Sequence, residues 1–344
     1  MGITNIIKEL LKPSPRKFAK ALLGNQHFNV IDVGAANGLN PYWQPLDGFA
    51  NIYAFEPHPE SAELLTYKYN KSAYASMYHI IPVGLSKKGG PATLYMLNAP
   101  TGSSILPVDM ESPLVQKNDA YIFPIKELPI ETESLQNAMA KNSISHCDMI
   151  KLDVQGAELD IVLGMGEQHL QNLLSIEMEV GFQSIYKGAP RPHDVETALA
   201  LYGFELFDLN LLKHHAKKNG SATYYTDILN QSSTFGVING KLIECDMLFI
   251  KKQENILAAN DKAIIGRYIA VLCIYSLYTH ALQIADDAFA KGIISEAEKE
   301  NIFTNVKKWS NNNRPFFRRR MFDGLRTISA KINSHIGHKA WHRQ

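Results

Sequence analysis

Residues 28–59 read FNVIDVGAANGLNPYWQPLDGFANIYAFEPHP, and this stretch decides the fold. An apolar, β-branched run of Val30, Ile31 and Val33 carries an acid, Asp32, at its end. It breaks into a small-residue turn, Gly34-Ala35-Ala36-Asn37-Gly38, and a second apolar run from Ile52 to Phe55 closes on Glu56-Pro57. The pattern predicts strand, tight loop, helix and parallel strand. A turn without bulk lets a ligand approach the backbone closely. An acid about 20 residues past such a turn is placed to take a ribose diol. The stretch announces a nucleotide-like ligand.

Working outward, residues 3–23 read as two short helices split at Pro13-Ser14-Pro15, since proline breaks a helix interior. Past Glu56, PESAELLTYKYNKS has Ala62, Leu65 and Tyr69 at helical spacing. Residues 77–85 predict a third strand, and ATLYML at 92–97 its hairpin partner. Residues 98–118 form a turn-rich loop containing Gly102-Ser103-Ser104, of a length that is often functional. A short strand at 121–125 and a helix at 133–142 follow, then a strand from Asp148 to Val154 bearing Asp153 near its end. Gln155-Gly156-Ala157-Glu158 opens a helix through Leu163, and the strand Leu173–Val180 alternates Glu177 and Glu179 on one face. A helix at 193–202, the strand FELFDLN, a polar insertion and a last strand Cys245–Ile250 complete the pattern. This alternation predicts an α/β fold with a doubly wound, mostly parallel, seven-stranded sheet. From Gln253 onward the chain reads as helices. The expected division is a helical segment at 1–27, a ligand-binding domain at 28–252 and a helical, basic extension at 253–344.

The 344 residues, 45% hydrophobic and 20% charged, are those of an ordinary globular protein. From Phe303 to the end, ten Lys or Arg stand against Asp323 alone, so this tail carries +9 and the remainder −8 of the net +1. Cys147, Cys245 and Cys273 form no CxxC or Cys/His cluster and read as reduced structural thiols. The N-terminus lacks a signal peptide's apolar core and cleavage site, and Ile6 breaks the myristoylation pattern. A cytoplasmic protein is expected, with the inner membrane face as a peripheral site. Tyr268–Ala285 carries no formal charge. Its polar second half favours a buried or interfacial helix over a spanning one.

Asp32, Glu56 and Asp153 each stand at the corner ending a strand, and in an open α/β sheet such ends line one crevice. Each alone also reads as a helix N-cap or surface carboxylate. A nicotinamide dinucleotide wants GxGxxG and a pyrophosphate cradle, but here Gly34 and Gly38 lie four apart with an acid just before them. S-adenosylmethionine has a cationic amine, a ribose, an adenine and no phosphate. Charge complementarity favours that methyl donor.

The motifs VIDVGAANG (30–38), IYAFEPHPES (52–61), PVGLS (82–86), GSSIL (102–106), MIKLDVQGAELDIVLG (149–164), LSIEME (174–179) and GFELFDL…DMLFI (203–250) together resemble the FkbM family of class I S-adenosylmethionine-dependent methyltransferases. The resemblance implies a Rossmann-like class I methyltransferase fold and O-methylation of a hydroxyl on a sugar, glycan or other metabolite. It also implies that Gly34, Ala36, Asn37 and Gly38 approach the donor, with Asp32 at its amino-acid end, Glu56 at its ribose and Gly84-Leu85-Ser86 near its adenine. Two departures are visible: Ala36 precedes Asn37 where the family often has GAN, and Gln155 replaces the first Glu of DxEGxE. A catalytically silent binding or scaffold protein is the alternative reading, and an NAD-dependent dehydrogenase the less favoured one.

A hydroxyl must lose its proton as it attacks, so a general base is expected. Asp153 and Glu158 are the candidates, followed by Glu179 and Glu177. Glu158 reads equally as a first-turn acid favoured by the helix dipole. The acids leave room for a divalent metal, but no ligand cluster predicts one. His58, His79, His146 and His193 read as surface or structural residues, with His58 nearest the site. Residues 307–343 interleave Lys and Arg with Trp309, Phe316, Phe317, Phe322 and Trp341. They suit either a helix packed on the domain or an anionic membrane surface. A nucleic acid partner is disfavoured because the acidic body repels phosphates. No feature sets the oligomeric state.

Overall fold

The computed structural model describes residues 15–24, 28–36, 38–117, 122–214 and 241–312. Its centre is β1 (Phe28–Val33), buried at all six positions. A central strand flanked by parallel neighbours and covered on both faces has no solvent side, which is why FNVIDV lacks polar alternation. Its neighbours are β2 (Ala50–Phe55) and β7 (Met149–Leu152), both parallel to it. With β3 (Tyr78–Ile81), β8 (Ser175–Gly181), β9 (Phe204–His214) and β10 (Lys241–Lys251), the seven strands run in the order β3-β2-β1-β7-β8-β10-β9. β10 is antiparallel to both β8 and β9, and the rest are parallel. Chain winding reverses between β1 and β7, which opens a crevice at the carboxyl ends of those strands. This is the doubly wound, mostly parallel sheet expected from the alternating pattern.

Each face buries a separate core. Ile31, Val33, Phe55, Ile150, Leu152 and Met178 pack with residues of α4 (Leu135–Lys141), α5 (Glu158–Leu163), α6 (Glu167–Asn172) and α7 (Pro192–Ala200). On the other face, Phe28, Val30, Ile52, Met149 and Ile250 pack with residues of α1 (Pro15–Leu23) and the helices after residue 252. These are α8 (Gln253–Ala258), α9 (Lys262–Ile274), α10 (Tyr278–Ala290) and α11 (Glu296–Asn312). In α9, Ile265 and every residue from Tyr268 to Ile274 are buried, as befits a helix that is apolar all round. Its Arg267 pairs at 2.9 Å with the buried Asp148, which also accepts the Asn29 N–H at 2.9 Å. The extension is thus tied by charge as well as packing to the start of the central strands.

Several expectations are corrected. No α-helix joins β1 to β2 among the described residues. A 3₁₀ turn at Pro41–Leu46 stands there, because Pro45 inside it lacks the N–H that an α-helix would need at that position. The run 77–85 is two strands: β3 ends at Ile81, and β4 (Gly84–Leu85) leaves the main sheet after Pro82-Val83. The expected partner of ATLYML is also different. β5 (Gly89–Leu97) pairs antiparallel with β6 (Pro124–Glu133) in a second sheet of order β4-β6-β5. The strand expected at 121–125 is this longer β6, which buries only Thr132 and so carries no apolar period to mark it. Tyr268–Ala285 is two helices, α9 and α10, not one. Among the described residues, no helix is long and apolar enough to cross a membrane.

The three cysteines are buried and unpaired. Trp309 is fully buried in α11. The rest of the basic, aromatic tail from residue 313, the first N-terminal helix expected before Pro13 and the polar insertion at 215–240 lie outside the described residues.

Candidate active site

The site begins where β1 meets its turn. Strand register sets Asp32 beside Lys151, and Lys151 beside Glu177, in a row across β1, β7 and β8. Asp32 is 1% exposed, and its Oδ1 has no hydrogen-bond partner. An acceptor buried without a partner is costly, so this oxygen is a fit for a donor group brought by a ligand. Burial pushes the Asp32 carboxyl up to about 7. Lys151 works against that rise, while Asp153, Glu177 and Glu56 add to it. Burial opposes the Lys151 charge, but Asp32, Asp153 and Glu177 together hold its ammonium above its ordinary pKa.

Gly34 adopts φ +83°, and a Cβ there would fall 2.0 Å from the Asp153 carbonyl oxygen. The bulk excluded at this position is therefore the neighbouring strand end rather than a ligand. Gly34 donates to the Phe55 carbonyl at 3.0 Å, and Gly38 to Ala35 at 2.7 Å, so the turn folds back over β2. Ala36 is exposed at its tip; Asn37 lies outside the described residues. Glu56 is 4% exposed and accepts the His58 N–H at 2.9 Å. Burial raises its pKa, offset by the backbone groups of His58 and Ala36. His58 is the N-cap of α2 (Pro59–Tyr69). Gly84 and Leu85 are buried in the small sheet, with Gly84 packed beside Pro57. The Ser86 hydroxyl is held by Thr132 Oγ1 at 2.8 Å and the Gly89 N–H at 3.1 Å. The structure therefore brings Asp32, Gly34 and Glu56 together, with Gly84 at the rim. Ser86 has its hydroxyl turned into the second sheet.

One strand over, Gln155 Nε2 donates to Asp153 Oδ1 at 2.9 Å and to Glu179 Oε2 at 2.8 Å. The Tyr186 hydroxyl lies 3.1 Å from Gln155 Oε1 and 2.6 Å from the Gly102 carbonyl. This network orients the amide, its N–H₂ facing the two carboxylates. Asp153 Oδ2 stands 3.4 Å from Lys151 Nζ. Burial works to raise the Asp153 carboxyl, but Lys151, Glu179 and Gln155 together hold it below the ordinary range. Glu179 is pushed well up, by burial first and then by Glu244 and Asp153. Asp153, Glu179 and Glu244 titrate together, with the proton favouring Glu179 over Asp153. Gln155, Glu179, Tyr186, Arg191 and Glu244 line a pocket at this edge. The loop at 98–117, which ends in α3 (Pro113–Lys117), closes on it. Ser104 Oγ donates to the Gln155 carbonyl at 2.7 Å.

Glu158 is 2% exposed, and its oxygens accept the N–H groups of Val154 at 2.9 Å and of Gly156 at 2.9 and 3.1 Å. Its carboxyl holds the loop that carries Gln155, whose φ is +62°. Burial pushes Glu158 up to about 7 despite those amides. Asp32 and Glu158 both have native pKa values above their unfolded ones. Their contribution to stability is complete below the ordinary carboxylate range and is lost as pH rises through about 7. Urea unfolding is expected to give a stability higher at about pH 5.5 than at about pH 8, by on the order of 1 kcal/mol or more. Glu158→Gln should shrink that difference, and a flat profile in the parent protein would refute the assignment.

Lys151, Tyr186 and Glu244 were not singled out from sequence. The first had a readable signal: a lysine in the apolar run MIKL needs counter-charges wherever it is buried. Among the described residues, no group of three or more His, Cys, Asp or Glu is arranged to hold a metal ion.

Residues 32–206, just over half of the chain, match the family described as Methyltransferase FkbM domain. The chain belongs to the FkbM methyltransferase family. This FkbM chain is similar to methyltransferase sdnD of Sordaria araneosa, at 25% identity over 168 residues covering 44% of this chain and 65% of that protein. It thus spans just under two thirds of that relative. Among solved structures, it is similar to M. capricolum TrmK in complex with S-adenosyl-homocysteine, at 8% identity and a TM-score of 0.33, covering 88% of this chain and 99% of that one. It is also similar to a SAM dependent methyltransferase from Aquifex aeolicus, at 13% identity and a TM-score of 0.28, covering 73% and 100%.

Proposed function

We propose that this FkbM chain transfers a methyl group from S-adenosylmethionine to a hydroxyl of a sugar, glycan or other small acceptor. The observation that carries the reading is the Asp153–Gln155–Glu179 bridge standing one strand from the Asp32–Lys151 pair. A carboxylate and an ammonium side by side complement a zwitterionic amino-acid end, with the unpartnered Asp32 oxygen accepting from its amine. Glu56 retains lone pairs for hydroxyl donors such as a ribose diol. The four carboxyl groups of Asp32, Glu56, Asp153 and Glu177, against the single Lys151 ammonium, are hostile to a pyrophosphate, which disfavours a dinucleotide.

When bound, the donor supplies a sulfonium methyl open to in-line displacement. The chain's task is to align the acceptor oxygen with it, since positioning supplies much of the rate in such reactions. Asp153, kept ionised by Lys151 and Gln155, accepts the hydroxyl proton as the oxygen–carbon bond forms. Both carboxyls are then protonated, and Asp153, the more acidic of the two, releases its proton to solvent after the methylated product leaves, which returns the pair to its resting charge. The loop at 98–117, tied down through Ser104 and Tyr186, excludes water from this edge.

Calorimetric titration with S-adenosylhomocysteine and with NAD tests the reading. Heat with the first and none with the second is expected; the reverse would sink it. Labelled methyl transfer to glycans of a cell extract then separates an active enzyme from a silent binding protein.

A further inference from the structure

The uncharged stretch Tyr268–Ala285 has a second role beyond filling the core. α9 ends at Ile274, and the Tyr275 N–H closes it on the Val271 carbonyl at 3.2 Å. Ser276 then adopts φ +63°, and the Leu277 N–H bonds the Leu272 carbonyl at 2.7 Å before α10 begins. A serine held in the left-handed region is a strained choice for a simple connector. Tyr275, the C-cap residue just before this turn, reaches the sheet, where its hydroxyl donates to Glu177 Oε2 at 3.2 Å. Glu177 is the last member of the row that runs through Lys151 to Asp32. Tyr275 also lies beyond the family match, which ends at residue 206.

We infer that Tyr275 is a positioning residue for donor binding, supplied by the C-terminal extension. By holding Glu177 it fixes where the Lys151 ammonium rests among Asp32, Asp153 and Glu177, and so how much charge Asp32 presents. Loss of the hydroxyl removes one hold on Glu177 and lets its carboxylate shift toward Lys151 and draw the ammonium away from Asp32. Burial, then Glu177, push the Tyr275 hydroxyl well above its ordinary pKa, so it remains a donor throughout the working range. This inference rests on the donor reading above.

The test is a double-mutant cycle read by calorimetric titration with S-adenosylhomocysteine, with thermal melting as a check on folding. Tyr275→Phe keeps the ring and its packing, so its melting temperature should stay near the parent's. Its dissociation constant should rise about tenfold, the size expected of one hydrogen bond to a charged group. Glu177→Gln, which leaves Tyr275 in place, should weaken binding comparably. The double variant should be no weaker than the weaker single, because both act through one contact. Parent-like affinity in Tyr275→Phe, or losses that simply add, would overturn the inference while leaving the donor reading intact. A parent protein silent to S-adenosylhomocysteine would overturn both.

Discussion

Asp153→Asn is expected to lower methyl transfer about a thousandfold, the middle of the range for losing a general base. Affinity for S-adenosylhomocysteine should stay within about threefold, less than about 1 kcal/mol. An asparagine carbonyl can still accept from Gln155 Nε2, so the bridge to Glu179 and the loop above it keep their shape. What is lost is the carboxylate that takes the proton, while Lys151 retains Asp32 and Glu177 as counter-charges. Single-turnover transfer from labelled donor, run beside calorimetric binding, reads both quantities. Transfer within tenfold of the parent would remove Asp153 from the base role. A parallel loss of donor affinity would make it a binding residue instead.

Gly34→Ala should be the most damaging single methyl in the crevice. The added Cβ would lie 2.0 Å from the Asp153 carbonyl oxygen, inside any tolerable contact, and φ +83° is already unfavourable for alanine. Either β1 and β7 separate at their carboxyl ends or the turn refolds. The expected cost is about 3 kcal/mol or more in urea unfolding, combining backbone strain with overpacking. Gly24→Ala provides the control, with φ +59° but nothing within 4 Å of its Cβ; about 1 kcal/mol is expected there from backbone strain alone. Equal costs at the two positions would mean that the close approach at Gly34 is unimportant. Because the displaced atom belongs to Asp153, any folded Gly34→Ala protein should also lose transfer.

The central strands and their acids were legible in the chain because their signals are local. Val30, Ile31 and Val33, then Ile52 to Phe55, are apolar runs closed by small or turn-forming residues. Any parallel strand buried on both faces reads that way. Asp32, Glu56 and Asp153 followed from the rule that ligands meet the carboxyl ends of such strands. Errors came where two distant segments compete for one partner. ATLYML was expected to pair with the strand before it and instead pairs with Pro124–Glu133, a run with almost no buried alternation. The helix expected between the first two strands is a 3₁₀ turn. The uncharged stretch after residue 267 breaks at Tyr275-Ser276, where no proline or glycine marks it.

The residues that tune the site are the ones that sequence order separates. Gln155 meets Glu179 across 24 positions and Tyr275 meets Glu177 across 98, and neither pairing leaves a periodicity in the chain. By itself the sequence determined the fold class, the crevice and the acids at its rim, since burial patterns and turn chemistry act over a few residues. Tertiary structure alone decided which acid is free. It turned Glu158 onto backbone amides and Ser86 into the second sheet, left Asp32 with an unpartnered oxygen, and set Lys151 among three carboxylates. The protonation and reach of a carboxylate depend on what lies within a few ångströms, and in a wound sheet those neighbours come from other strands.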